Sequence, residues 1–177
     1  MNLRWRKMAE KNIRLNRFRT ITKKRFRLPH GYVGDFYTRY EEDIVCALVV
    51  TRDNQVVIAK QFRPGPEKIM WELPAGGVGR DTPRQAMARE LLEETGYRGQ
   101  IKLLARTTRD GWSSSWRYHY LVTQATKVSS AIPDPAERIE VVTLSLPAFI
   151  KILKQGRLTD AETAFRGLMV LDRLRLR

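Results

Sequence analysis

Cysteine occurs once, as Cys46, which excludes an intrachain disulfide and a thiolate zinc cluster. Histidine is almost as scarce, with only His30 and His119, so any metal must be held by oxygen, helped at most by those two imidazoles. Long apolar runs are missing as well. The longest, Ile44–Val50, has seven residues against the roughly 20 a membrane helix needs. No apolar stretch of signal-peptide length follows the basic residues at the start. These absences point to a cytoplasmic protein with no membrane partner. Cys46 itself lies within that apolar run, as a small buried side chain would. With 11 Gly and 8 Pro in 177 residues, collagen, low-complexity sequence and a Ser/Gly-rich linker are excluded, and no repeat of solenoid type occurs.

What remains is an ordinary folded composition, 42% hydrophobic and 29% charged, on a length that suits one domain with an appendage. Charge divides the chain. Residues 1–30 carry eleven basic side chains and one acid, Glu10, and supply +10 of the formal +14. Trp5, Phe18 and Phe26 interleave with those charges, a pattern that can follow a nucleic-acid backbone by neutralisation and stacking. The favoured expectation is plainer: a solvated, partly extended segment whose cations raise the local concentration of phosphate-bearing ligands. The organisation expected is a basic N-terminal extension with antiparallel strands over residues 1–42 and a main domain over 43–177.

Alternation over Thr20–Tyr40, broken by Pro29-His30-Gly31, predicts two strands and a turn. Asp43–Arg52 and Gln55–Phe62 flank Asp53-Asn54, a hairpin signal because those residues tolerate positive φ. Ile69–Leu73 predicts a short strand ended by Pro74. Thr82-Pro83-Arg84-Gln85 then places a hydroxyl at an N-cap, proline at the first helical position and glutamine where it closes a capping box. A helix over Pro83 to about Thr95 follows, stopped by Gly96. Ile101–Thr107, Trp116–Thr123 and Arg138–Leu144 read as strands, with a loop at Asp110–Ser115. Two closing helices are expected. One is Pro147–Lys154, capped by Ser145 and ended by Gly156; the other is Ala161–Leu176, begun by a Thr159-x-x-Glu162 capping box.

On the first of these helices Glu90, Glu93 and Glu94 are spaced i, i+3 and i, i+4, so all three point to one side and repel. Taken alone, such a stripe is a solvated face with an Arg89–Glu93 ion pair. The loop before it changes the reading. Leu73-Pro74-Ala75-Gly76-Gly77-Val78-Gly79-Arg80 is rich in glycine, which lets backbone groups approach a ligand closely. Oxygen ligands from a helix stripe and a glycine loop suit hard Mg²⁺ or Mn²⁺, and together they suggest metal-assisted attack on a phosphoanhydride.

The segment Gly76 to Tyr97, with Arg89-Glu90-Leu91-Leu92-Glu93-Glu94-Thr95-Gly96-Tyr97 as its second half, resembles the Nudix box of Mg²⁺-dependent hydrolases. Those enzymes cleave a nucleoside diphosphate linked to another moiety. Its first half is one residue shorter than the family's, with Asp81 where glutamate is usual. Gln61-Phe62-Arg63 and Trp71-Glu72-Leu73-Pro74-Ala75-Gly76 are similar to the branch acting on ADP-ribose and nucleoside diphosphate sugars. The resemblance implies an α+β fold, an α/β/α sandwich on a mixed sheet with a β-rich N-terminal extension, and a homodimer. It implies metal on Glu90, Glu93, Glu94 and the Ala75 carbonyl, and Arg63 and Glu72 in the substrate cleft. A glutamate after the box serves as base, for which Glu137 is chosen over Glu140. Glu93 and Glu94 are alternative catalytic groups, and Trp71 and Arg80 join the substrate-binding candidates.

The substrate this implies is a small nucleoside diphosphate derivative. A Nudix-fold module that binds nucleic acid or processes RNA 5′ ends through the basic arm is the alternative, but it loses support because all three box glutamates are kept. His119, between Tyr118 and Tyr120 in a strand, reads as structural. Trp71 and Trp112 suit either base stacking or packing. Ser113–Ser115 lacks a G-x-S-x-G context and reads as loop.

Overall fold

The computed structural model describes residues 2–16, 19–132 and 138–171, which fall into two compact units. One comprises Met1–Glu42 with Thr108–Trp116, the other Asp43–Thr107 with Arg117–Arg177.

In the first unit β1 (Arg6–Arg14), β2 (Thr20–Arg27) and β3 (Val33–Tyr40) form an antiparallel sheet in that order. The turn between β2 and β3 holds Gly31 at φ 92°, as Pro29-His30-Gly31 predicts. β1 is as exposed and extended as the expected solvated segment, but it is also a paired strand. Its backbone pairs with β2 from Arg6↔Arg27 to Arg14↔Thr20, with a shift between Lys7 and Ala9. Every β1 side chain is exposed, so the strand has no apolar alternation to betray it, and its order comes from ladder hydrogen bonds to a neighbour. Trp5, Phe26 and Phe36 meet edge-on or tilted with centroids 4.9–5.9 Å apart, and Trp112 stacks on Phe36 at 6.5 Å. Phe18 lies outside the described residues.

The second unit is built on a sheet of seven strands: β4 (Ile44–Thr51), β5 (Gln55–Arg63), β6 (Lys68–Glu72), β7 (Ala75–Gly77), β8 (Tyr97–Thr108), β9 (Trp116–Lys127) and β10 (Ile139–Ser145). The main order is β10-β5-β4-β9-β8, with β6 on β5 and β7 on β4. The sheet is mixed, since β4 runs parallel to β9 and antiparallel to β5 and β7. Asn54, at φ 56°, makes the β4–β5 turn. Being central, β4 is buried on both faces, which is why its sequence is one unbroken apolar run. Cys46 and Leu48 pack with α2 (Leu146–Lys154) and α3 (Ala161–Val170) on one side. Val45, Ala47 and Val49 pack against α1 (Pro83–Thr95) on the other. The class is therefore α+β, a mixed sheet between helical layers.

α1 is bounded as its sequence predicts. Thr82 and Gln85 form the capping box, and Gly96 ends the helix at φ 75°. A Cβ at Gly96 would also stand 2.2 Å from the Ser129 carbonyl oxygen, so both conformation and space require glycine there. α3 differs at both ends. Its N-cap is Asp160 and no side chain caps it, so the expected Thr159–Glu162 box does not form. The Thr159 hydroxyl instead donates to Asp160 Oδ2 at 2.9 Å, and Glu162 accepts from Arg166 at 2.9 Å. The helix runs to Val170; the rest of the stretch predicted to Leu176, beyond residue 171, lies outside the described residues. β8 begins at Tyr97, directly after Gly96, four residues before the predicted start.

Candidate active site

α1 lies against β7, and the contact is made by the acidic stripe itself. The Ala75 amide donates to Glu94 Oε2 at 3.0 Å, and Glu94 is only 4% exposed. Gly76 admits the Glu90 side chain: a Cβ at residue 76 would stand 2.0 Å from that carboxyl carbon and 2.2 and 2.3 Å from its two oxygens. Glycine 76 is thus required by the carboxylate above it rather than by backbone conformation, since its φ is not positive.

Arg89 is the counter-charge. Its Nε donates to Asp81 Oδ2 at 2.9 Å, Nη1 to Glu90 Oε1 at 2.8 Å and to Glu93 Oε2 at 3.1 Å, and Nη2 to the Gly77 carbonyl at 3.0 Å. The hydrogen bond to Asp81, then those to Glu90 and Glu93, push the guanidinium pKa up, so it is permanently charged. In spite of the shortened loop, Asp81 reaches Arg89. The one guanidinium fork therefore ties the turn before α1, the end of β7 and two carboxylates of the stripe.

The donors present, three carboxylates beside a loop of backbone carbonyls, are the hard oxygens a divalent cation prefers, and the glycine cradle gives Glu90 room against that loop. As they stand, the carboxylates do not converge. Among the described residues no three Asp, Glu, His or Cys side chains form a group that could hold a metal ion, and Arg89 draws on both Glu90 and Glu93.

β5 and β6 bring Arg63 onto Glu72. Arg63 Nε lies 2.9 and 3.0 Å from the two Glu72 oxygens and Nη2 2.6 Å from Oε2, while Gln61 Nε2 donates to the same oxygen at 3.0 Å. Glu72 is buried, so this is a desolvated carboxylate with both oxygens engaged, and it holds the arginine in a fixed pose. Trp71, half-buried, has two cations over its ring: Lys60 Nζ is 5.0 Å and the Arg157 guanidinium 5.6 Å from its centroid. Arg80 is exposed in the turn before α1. Glu140 is exposed and pairs with Lys60 at 2.6 Å. Glu137 lies outside the described residues.

Asp160 was absent from the predicted site, yet it reaches the same loop. Its Oδ2 accepts from the Leu73 amide at 3.2 Å and its Oδ1 from Arg117 Nη1 at 3.2 Å. The chain entering the glycine loop is therefore pinned at Leu73 by the start of α3 and at Ala75 by α1. No local motif announces a contact across 87 positions; only the acid just before a predicted helix hints at one. Asp160→Ala would leave a buried amide and a half-buried guanidinium without this acceptor. We expect a loss of about 1–3 kcal/mol, with Asp160→Asn losing less because Oδ1 can still accept. Urea denaturation reads both, and an unchanged midpoint for the alanine variant would show that Leu73 is not held this way.

His119 is fully buried between two hydroxyls, Thr163 Oγ1 2.8 Å from Nδ1 and Thr107 Oγ1 2.9 Å from Nε2. Burial lowers its pKa, so it stays neutral. That environment fits the structural reading.

Comparison with known proteins agrees with this architecture. The family model for the NUDIX domain matches residues 41–163. The chain is 28% identical over 140 residues to a methanol dehydrogenase activator of Bacillus methanolicus, covering 77% of this chain and 76% of that protein. It is also 28% identical over 142 residues to an ADP-ribose pyrophosphatase of Bacillus subtilis, covering 78% and 77%. A solved ADP compounds hydrolase superposes with a TM-score of 0.81 at 15% identity, covering 98% of this chain and all of the other.

Proposed function

Because the chain belongs to the NUDIX domain family, we propose that it hydrolyses the pyrophosphate bond of a nucleoside diphosphate sugar. ADP-ribose is the first choice, with AMP and ribose 5-phosphate as products. The observation that carries this reading is the meeting of Glu90 and Glu94, two members of the acidic stripe, with β7 at Gly76 and Ala75, in a chain similar over more than three quarters of its length to an ADP-ribose pyrophosphatase.

Hydrolases of this family generally use divalent metal ions. Here Mg²⁺ or Mn²⁺ on Glu90, Glu93, Glu94 and the Ala75 carbonyl would supply neutralisation of the pyrophosphate and polarisation of phosphorus. The protein's own groups do the rest. Arg89 keeps the carboxylate stripe from repelling itself apart and fixes its distance from β7. Arg63, oriented by Glu72 and Gln61, offers a preset cation to the substrate's phosphates or sugar, with Arg80 and Trp71 at the cleft's margin. Glu137 takes the proton of the attacking water, with Glu93 and Glu94 as the alternative bases. The protein acts as a homodimer, with residues 1–42 as an appendage to the 43–177 hydrolase domain.

The test is a product assay. The protein is incubated with Mg²⁺ or Mn²⁺ and ADP-ribose, ADP-glucose, GDP-mannose, UDP-glucose and 5′-triphosphate RNA. Release of a nucleoside monophosphate from one of the sugar nucleotides is expected. Turnover of none of them, with the RNA cleaved instead, would overturn the reading.

A further inference from the structure

The strand register of the N-terminal sheet sorts its charges. Cross-strand partners share a face and alternate residues oppose it. Arg6 pairs with Arg27, Lys11 with Lys23, and Lys23 in turn with Tyr37, while Arg25 pairs with Asp35. Arg6, Lys11, Lys23, Arg25 and Arg27 thus stand on one face, together with Arg39, the partner of Ile21, whose guanidinium is already paired with Glu41 and Asp110. The opposite face carries Phe26, Phe36 and the buried Thr22 against Trp5, and three cations, Lys7, Arg14 and Lys24, with the acid Glu10 among them. One carboxylate, Asp35, stands among the five cations, 2.9 Å from Lys23 and 3.7 Å from Arg25. Along β2 the cations at 23, 25 and 27 recur every second residue, about 6.8 Å apart, the stride of a polymer of charges rather than of a single small anion.

On β3, the outer strand of this face, Tyr37 is 55% exposed beside its partner Lys23, whose Nζ is 5.9 Å from the ring centroid. An exposed aromatic ring beside cations on a sheet surface is the stacking platform of single-strand binding. It offers nothing to a like-charged second copy of the same face, which the five cations would repel.

We propose that this face binds the phosphate backbone of single-stranded RNA or DNA, with a base stacked on Tyr37, as an activity separate from the hydrolase site. Binding is electrostatic and weakly sequence-dependent. With about four phosphates neutralised, each contributing about 0.7 to the log–log salt slope, affinity falls about 50-fold between 50 and 200 mM salt.

The experiment is fluorescence anisotropy of the full chain with a labelled single-stranded oligonucleotide, a duplex of the same sequence and a sulfated polysaccharide. Lys11→Glu/Arg25→Glu/Arg27→Glu should weaken oligonucleotide binding at least tenfold and flatten the salt slope. Lys24→Glu/Lys102→Glu/Lys127→Glu changes net charge equally at positions off this face and should have little effect. The glutamine versions of the face triple guard against misfolding and should weaken binding in the same direction. Tyr37→Ala should cost about fivefold or more on the single strand and nothing on the duplex or polysaccharide. Hydrolase turnover should be unchanged in all of them, so failure here would leave the enzymatic reading standing. No binding at 50 mM salt, equal loss in both charge triples, or a silent Tyr37→Ala would overturn the proposal.

Discussion

Glu94→Gln is expected to lower kcat by about 10²–10⁴ with the fold intact. The side chain is almost completely buried and accepts the Ala75 amide at 3.0 Å. An amide of the same size can make that contact through its remaining oxygen, so the loop keeps its tie to α1 and only the negative charge is lost. The charge is what the proposed chemistry needs, whether Glu94 holds the cation or takes a proton. Steady-state kinetics with saturating Mg²⁺, read beside a thermal melt, separate the two effects. Near-wild-type turnover would remove Glu94 from both roles. Glu93→Gln is the useful companion, because Glu93 is half-exposed and engages Arg89 rather than the loop.

Gly76→Ala is expected to cost about 10²-fold in kcat/KM while shifting the melting temperature by no more than a few degrees. The added methyl would stand 2.0 Å from the Glu90 carboxyl carbon, and the carboxylate, at the end of a flexible side chain, is what gives way. Residue 76 has no positive φ, so alanine brings no backbone strain. The damage is therefore confined to where Glu90 points. Gly65→Ala is the matched control, since a Cβ there meets nothing within 4 Å. A large loss of stability in Gly76→Ala, or full activity, would show that Glu90 does not depend on that cradle.

Local chemistry makes much of this molecule legible in its residues alone. The α1 capping box, Pro83 and Gly96 are short-range devices whose physics involves neighbours within a few residues, and the structure reproduces them residue for residue. The β4 run is read directly from its apolar continuity, because a strand buried on both faces needs no alternation. The glutamate stripe follows from helical periodicity alone. Elsewhere local signals misled. Thr159 and Glu162 have the spacing of a capping box, yet both side chains are drawn to other partners, the first to Asp160 and the second to Arg166. β1 has no amphipathic pattern, and a strand stabilised by its ladder rather than by burial leaves no periodic trace.

By itself, then, the sequence determined most of the elements, though not β1 or β7, together with the family and the acidic stripe, because capping, turn chemistry and hydrophobic period act over a few residues. Tertiary structure alone decided how those parts bear on one another. Arg89 could pair with Glu93 on any isolated helix, but its reach to Asp81 and the Gly77 carbonyl requires α1 to be docked on β7. Asp160 is an ordinary acid until α3 brings it to the Leu73 amide. The five cations become one face only when the register of β1 on β2 is set. Contacts between distant positions carry no local signature, since their energy exists only after the chain has closed on itself.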